Sequence, residues 1–467
     1  MKKPSLAVLL AASFAFIIVQ LDVTIVNVAL PEIGRELNAG VSQLQWVVDA
    51  YTLGFAVFLL SAGVLGDRFG ARRIFLSGFT LFTLASVAAA LAPDALALNI
   101  SRAVQGVGAA LLVPSSLSIL NATYSYDRAM LAKAIAWWTA AGGVSIALGP
   151  VVGGLLMSVL GWRSIFWVNV PIAIIGFWVT MRVVPALRPK DPGRTFDLPG
   201  QILAIVALTA FIGVVIEANE LGMQNGLIQG ALLVAVAAAV LFLWVEQRSK
   251  APMLPLKMFK LPGFSGAVLF GVFVNFAYYG IIFVLSFYLQ KVRGFSVLEA
   301  GLIFLPLTGT FLLSNIISGK VQARVGSRIP MIVGGLIGAT GYALLGLFGI
   351  SASASFWAML PGLALIPGGM GLGVPAMTTA ILSSVDKSQS GTASAVLNTA
   401  RQVGGATGVA IYGALIAGSD PATAIHGIQI ALVVSTLLLL GGAYLAWQYI
   451  APHRAHAPVS PVTSGIE

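Results

Sequence analysis

The sequence predicts an all-α membrane protein: 14 transmembrane helices forming two pseudo-symmetric six-helix bundles, with two inserted helices between them. Three observations predict it. The 467-residue chain is 58% hydrophobic and only 9% charged, with mean hydropathy +0.95. Its apolar stretches run about 20 residues without a break, enough to cross a bilayer as a helix. One glycine and arginine pattern occurs in both halves, as in chains built from an internal repeat.

A soluble domain carries about 25% charged residues, so a chain this apolar has lipid as its solvent. The 52 glycines and 22 prolines suit a helical bundle, where small residues permit close approach and neighbouring helices tolerate kinks. A β-barrel would show alternating segments of about 10 residues instead. With no cysteine, disulfides, thiol catalysis and thiolate metal sites are excluded. The histidines His426, His453 and His456 offer no paired metal site within the bundle, and no phosphate-binding loop is present. No cofactor is expected, and any transport must draw on an ion gradient.

The net charge of +10 does not point to nucleic acid, because of where the cations fall. One set of alternate loops and tails holds Lys2, Lys3, Arg68, Arg72, Arg73, Arg128, Lys133, Arg188, Lys190, Arg194, Arg248, Lys250, Lys257, Lys260, Lys320, Arg324, Arg328, Lys387 and Arg454. The opposite set holds Arg35, Arg163, Lys291 and Arg293. That asymmetry follows the positive-inside rule, places both termini in the cytoplasm and requires an even number of spans.

The first stretch, near 6–28, follows Lys2 and Lys3 as a signal peptide would. It continues to about Leu30 without a convincing cleavage site and is read as a retained helix. Spans two to six fall near 45–64, 74–92, 95–118, 131–157 and 164–184. Spans seven and eight, near 198–217 and 228–246, form the inserted pair. Spans nine to fourteen follow near 263–289, 297–319, 330–350, 356–382, 392–417 and 425–449. The division is then 1–184 for the first bundle, 185–262 for the insertion, 263–450 for the second bundle and 451–467 for a polar cytoplasmic tail.

The repeat aligns Gly63, Asp67, Arg68, Gly70 and Arg72 with Gly319, Ala323, Arg324, Gly326 and Arg328. A weaker echo links Gly108 to Pro114 with Gly369 to Pro375. The first loop sits at the cytoplasmic surface, where its charges can pair with helix ends in one conformation and release them in another. A plain positive-inside anchor is the competing reading.

An ionisable group within a span costs several kcal/mol unless compensated, so each one marks a candidate site. Helical rise puts Asp22 roughly 24 Å up span one, and Asp49 and Arg102 about 6 and 10 Å below the outer ends of spans two and four. These three share a depth and meet if their helices adjoin. Asp22 reads as a proton-binding carboxylate tuned by Arg102, or as the acid of a structural pair. Asp49 reads as a second proton site or as a helix-start residue. Arg401 lies about 15 Å into span thirteen and either lines a cavity or binds carbonyls between helices. Glu217 and Glu220 fall at the outer end of span seven, where water is expected. Asn27, Trp137, Trp138, Tyr278 and Asn398 complete the candidate substrate cavity with Arg401, lipid-facing or packing positions being the alternative for the aromatic groups. Gly149, Pro150, Gly153 and Gly154 in span five read as a tight, kinked helix crossing.

These motifs resemble the major facilitator superfamily, specifically its fourteen-helix drug:proton antiporters of the quaternary-ammonium and multidrug efflux type. Leu21 to Pro31 is similar to that family's first-helix signature, and Trp46 to Tyr51 to its second-helix pattern. Gly63 to Arg73 resembles the loop 2–3 motif, Arg102 to Gly108 the fourth-helix motif, and Gly149 to Gly154 the span-five antiporter motif. Gly161-Trp162-Arg163 and Asn169-Val-Pro171 add to it. The resemblance implies a non-enzymatic, monomeric exporter in a bacterial inner membrane. It would exchange protons for small amphipathic molecules by alternating access, Asp22 handling the proton and Arg102 the coupling. A proton symporter is the alternative within transport, and a non-transporting receptor or scaffold the alternative outside it. Relatives that export polyvalent cations carry further membrane carboxylates in the second half; spans nine to fourteen here place none deep in the bilayer.

Overall fold

The computed structural model describes residues 6–124, 126–186, 189, 196–249, 252–386, 389–417 and 421–452. The expectations for Lys2, Lys3, Arg188, Lys190, Arg194, Lys250, Lys387, Arg454 and most of the tail fall outside the described residues. Within them the chain is helical and has no strand.

The first helices are α1 (Leu6–Glu36), α2 (Val41–Phe69), α3 (Ala71–Ala90), α4 (Ala95–Tyr124), α5 (Arg128–Leu160), α6 (Ser164–Trp167) and α7 (Asn169–Val183). Two follow between long connections, α8 (Leu198–Leu221) and α9 (Gly226–Arg248). The remainder are α10 (Pro262–Phe287), α11 (Val297–Ile303), α12 (Leu305–Val325), α13 (Arg328–Leu344), α14 (Phe356–Ser383), α15 (Ser390–Leu415) and α16 (Pro421–Tyr449). α6 with α7, and α11 with α12, are single spans interrupted near prolines Pro171 and Pro306, which lack the N–H needed to continue the ladder.

Among the described residues, 12 helices or joined pairs are long and apolar enough to cross a bilayer, and α5, bent by 43° between Ile146 and Leu148, makes a thirteenth. The bend lies where the ring of Pro150 displaces the carbonyl of Ile146, four residues earlier. The expected count of fourteen is not reached on this criterion. α15 has the length, at 26 residues, but Ser394, Asn398, Thr399, Arg401, Gln402 and Thr407 lower its apolarity.

Two groups of helices carry the core. In the first, α4 packs on α2 and α3, and α1 on α5 and α7; in the second, α10 packs on α15 and α16, and α14 on α12 and α13. The groups meet along two seams, α2 against α15 and α5 against α11 and α12. α8 lies over the first seam, where Ile212 and Ile216 pack with Leu53 of α2 and with Ala406 and Ala410 of α15. Its polar contacts go to α2: Gln201 bonds Ser61 and donates to the Val57 carbonyl at 3.2 Å, and Trp46 Nε1 donates to Glu217 at 3.0 Å. Glu217 is therefore half-buried rather than free in water, because α8 packs directly on α2.

The repeat is visible in the backbone. Gly70 (φ 93°) separates α2 from α3, and its counterpart Gly326 (φ 72°) separates α12 from α13. Both occupy the left-handed region that glycine tolerates without a Cβ penalty. Their arginines match too: Arg72 donates to the Met181 carbonyl in the last turn of α7 at 2.7 Å, and Arg328 donates to the Trp447 carbonyl in the last turn of α16.

Close packing depends on the absence of side chains at α2–α4. A Cβ on Gly106 would overlap the carbonyl oxygen of Tyr51, whereas one on Gly63 would meet nothing within 4 Å. Overpacking a tight contact costs about 1–3 kcal/mol. Gly106→Ala is expected to lower the thermal unfolding midpoint in detergent, and Gly63→Ala to leave it in place. Equal midpoints for the two variants would remove close α2–α4 packing as the role of Gly106.

Candidate functional site

Asp22 of α1 is fully buried and reached by donors from two other helices. Arg102 Nη1 of α4 donates to its Oδ2 at 2.5 Å, Gln105 Nε2 to its Oδ1 at 2.9 Å, and Asn169 Nδ2 of α7 to Oδ1 at 2.8 Å. Gln105 also donates to Ser86 of α3 at 2.9 Å and accepts from Arg102 at 2.6 Å. Arg102 Nε donates to the Val47 carbonyl of α2 at 3.0 Å, and its guanidinium carbon lies 4.3 Å from the Tyr51 ring centroid. A buried pair this well bonded offsets its desolvation through each extra donor and acceptor. Five elements of the first group are thus tied to one carboxylate and one guanidinium.

The structure brings Asp22 and Arg102 together and adds Gln105 and Asn169, which the sequence does not single out for this role. Both are amides inside apolar spans, and Gln105 stands three residues from Arg102, on the same helical face.

Asp49 does not join them. It is fully buried, and neither of its oxygens has a hydrogen-bond partner among the described residues. Val47 and Tyr51, which touch Arg102, are each two residues away and so lie about 200° around the helix. Asp49 shares its face instead with Gln45 and Ala56, which meet α15: Gln45 donates to the Ala410 carbonyl at 2.7 Å, and Thr399 donates to the Ala56 carbonyl at 3.3 Å. Equal depth is not proximity when residues occupy opposite faces of a helix.

Between the groups, Thr24, Asn27, Val28, Ile146, Pro150, Tyr278, Ile282, Phe304 and Leu307 line a small cavity with about 10 Å³ of free space. Above it Ser286 donates to the Asn27 carbonyl at 2.6 Å, and Gln290 donates to the Val28 carbonyl at 3.0 Å. Gly154 and Gly301 bring α5 against α11 at the same end. Two further bonds join the groups along the α2–α15 seam, from Gln45 to the Ala410 carbonyl and, midway, from Thr399 to the Ala56 carbonyl.

Of the cavity candidates, Asn27 and Tyr278 line it. Trp137 does not, and the sequence expectation is corrected: it stands nine residues before Ile146, about 180° around α5, and is 69% exposed on the outer face. Trp138 is buried and stacked on Phe16 of α1, with centroids 3.8 Å apart, so it packs rather than lines. Gly149 and Gly153 press α5 onto Thr24 and Ile25 of α1. Asn398 donates to the Ser394 carbonyl at 2.9 Å within α15. The Nε of Arg401 is buried without a partner. In the loop, Arg68 lies 5.3 Å from the Phe69 ring centroid, and Arg72 clamps α7 of its own group rather than the other. No group of three or more metal-ligating side chains exists among the described residues.

Similarity to known proteins agrees with this architecture. A family model described as the Major Facilitator Superfamily matches residues 12–409. The chain is 37% identical over 460 residues to the methylenomycin A resistance protein of Streptomyces coelicolor, covering 98% of this chain and 95% of that protein. It is 36% identical to the multidrug resistance protein Stp of Mycobacterium tuberculosis, covering 89% and 77% respectively. Its fold resembles the inward open xylose transporter XylE from E. coli, with a TM-score of 0.68, 14% identity and 97% of each chain covered.

Proposed function

Because the chain belongs to the Major Facilitator Superfamily, it is a membrane transporter rather than an enzyme, and we propose that it exports small amphipathic compounds in exchange for protons. The observation that carries this reading is the buried pair of Asp22 and Arg102. A proton arriving on Asp22 cancels the charge that holds Arg102. It thereby loosens the contact of α1 with α4 and α7, so proton occupancy and helix packing become one equilibrium. Asp49 supplies a second carboxylate at the α2–α15 seam; with no donor near it, nothing offsets the desolvation of its ionised form.

Several finer features belong to the same proposal. α15, lined with polar groups on one face, is the fourteenth span. Residues 1–184 and 263–450 are two six-helix bundles that rock against each other, and 185–262 is an insertion. Both termini face the cytoplasm of a bacterial inner membrane. The seal around Asn27 and Ser286 then closes the periplasmic side, and the cavity loads from the cytoplasm. The protein works as a monomer. Polyvalent cations fit this cavity poorly, because the only carboxylate within α10–α16 is Glu299 in the first turn of α11, held by Ser296.

The test uses inverted membrane vesicles energised to an acidic interior. Adding a transported compound should release protons from the lumen when this protein is present and not when it is absent. Compound accumulation with no accompanying proton movement would sink the coupling.

A further inference from the structure

We propose that Arg401 is the anion-binding residue of the transport cavity, and that the cargo is an amphipathic monoanion bearing a carboxylate. This rests on the export reading above and narrows its substrate class.

Arg401 is a cation without a counter-charge. Its Nε is buried and unpartnered, and the side chain makes no hydrogen bond or ion pair among the described residues. The buried Arg102 differs in having Asp22, Gln105 and the Val47 carbonyl. The reading that Arg401 binds carbonyls between helices finds no such bond here. No carboxylate pairs with it among the described residues: Asp49, on the face of α2 that meets α15, makes no bond, Glu299 is exposed at a helix start, and Asp386 lies exposed beyond the end of α14.

Arg401 stands on a polar side of α15. Ser394, Asn398, Arg401, Gln402 and Gly405 recur at helical spacing along one side of α15, and Val403, Ile411 and Ala414 occupy the other. The Cγ of Arg401 lies 3.4 Å from where a Cβ on Gly271 of α10 would stand. Gly271, Tyr278 and Ile282 share one face of α10, and the last two line the cavity. Arg401 therefore lies about two turns along α10 from Tyr278, toward the end that carries the chain termini and beyond the residues that line the small cavity.

A guanidinium left with free donors binds a planar carboxylate through two parallel hydrogen bonds, at fixed geometry. The apolar side chains Ile146, Tyr278, Ile282, Phe304 and Leu307 would receive the rest of the molecule once the two groups part, since only about 10 Å³ is free among them here. A cationic cargo would meet an uncompensated like charge instead.

The decisive comparison pits pyrenebutyrate against its neutral methyl ester and against ethidium. Binding is measured on the full chain in detergent, with partition into protein-free micelles subtracted. A charge-assisted pair predicts that the acid binds about tenfold or more tighter than the ester. Arg401→Gln should erase that difference, and Arg401→Lys should keep part of it. Circular dichroism and elution as a single species establish that both variants fold; a misfolded Arg401→Gln leaves the wild-type acid-to-ester ratio as the deciding measurement. No acid preference in the wild type, including binding of neither compound, overturns the proposal. So does tighter binding of ethidium, or an acid preference that survives Arg401→Gln. Acid preference without proton movement in vesicles would instead sink the export reading and leave the assignment of Arg401 standing.

Discussion

Asp22→Asn is expected to reduce substrate-driven proton release from vesicles to the level of vesicles lacking the protein, a loss of about 100-fold or more for a carboxylate that is the obligatory proton carrier. The substitution keeps the size and shape of the side chain. It removes the charge and the ability to exchange a proton in the cycle. Gln105 and Asn169 still find an acceptor in the amide oxygen, and Arg102 still has the Val47 carbonyl, the Gln105 oxygen and the Tyr51 ring. The variant should therefore reach the membrane in normal amounts. Downhill movement of substrate should also persist to some degree, because the cavity of Asn27 and Tyr278 does not include Asp22. Proton release at the wild-type rate would remove Asp22 from the mechanism and transfer the burden to Asp49.

Arg102→Ala should have the largest effect on stability. It leaves the Asp22 carboxylate buried among amide donors with no cation, and breaking one side of a buried pair costs about 3–5 kcal/mol. The pair is almost wholly enclosed, with side-chain exposures of 2% and 0%, so water recovers little of that loss. The expected readout is a sharp fall in detergent unfolding midpoint and in yield. The double variant Asp22→Asn/Arg102→Gln should recover much of the stability, because no lone charge remains, while proton release stays absent. That split separates the two roles. If the double variant were as unstable as Arg102→Ala, packing around the guanidinium rather than charge pairing would be what holds these helices.

Much of this molecule was legible in the sequence because lipid enforces simple rules. A helix that crosses a bilayer needs an unbroken apolar run, and each run is a helix here, down to the break at Pro171 and the bend before Pro150. The pairing of Asp22 with Arg102 was legible for the same reason, since two opposite charges at one depth have few other partners. Gln105, Asn169 and Ser86 were harder to see. Neutral polar residues are common in membrane helices, and only the crossing of α1, α3, α4 and α7 selects these three. Asp49 and Trp137 went astray for a different reason. Depth follows from counting residues, but the direction a side chain faces depends on which helices are neighbours. Trp137 stands half a turn away from the cavity face once Pro150 is known to line it.

The way α8 is attached has a mechanical consequence. Among the described residues its hydrogen bonds to other spans run to α2, through Gln201 and Glu217, and Ile212 and Ile216 pack on Ala406 and Ala410 of α15. In the proposed rocking of the two bundles, α8 would travel with α2, and Ile212 and Ile216 would slide across the methyl groups of Ala406 and Ala410. Such sliding would break none of the bonds to α2 and would meet an apolar surface, so it would resist the stroke little. The cover would then stay over the α2–α15 crevice and keep acyl chains from wedging into it. Among the described helices none covers the seam of α5 with α11 and α12 in this way, and this is where the two sides cease to be symmetric.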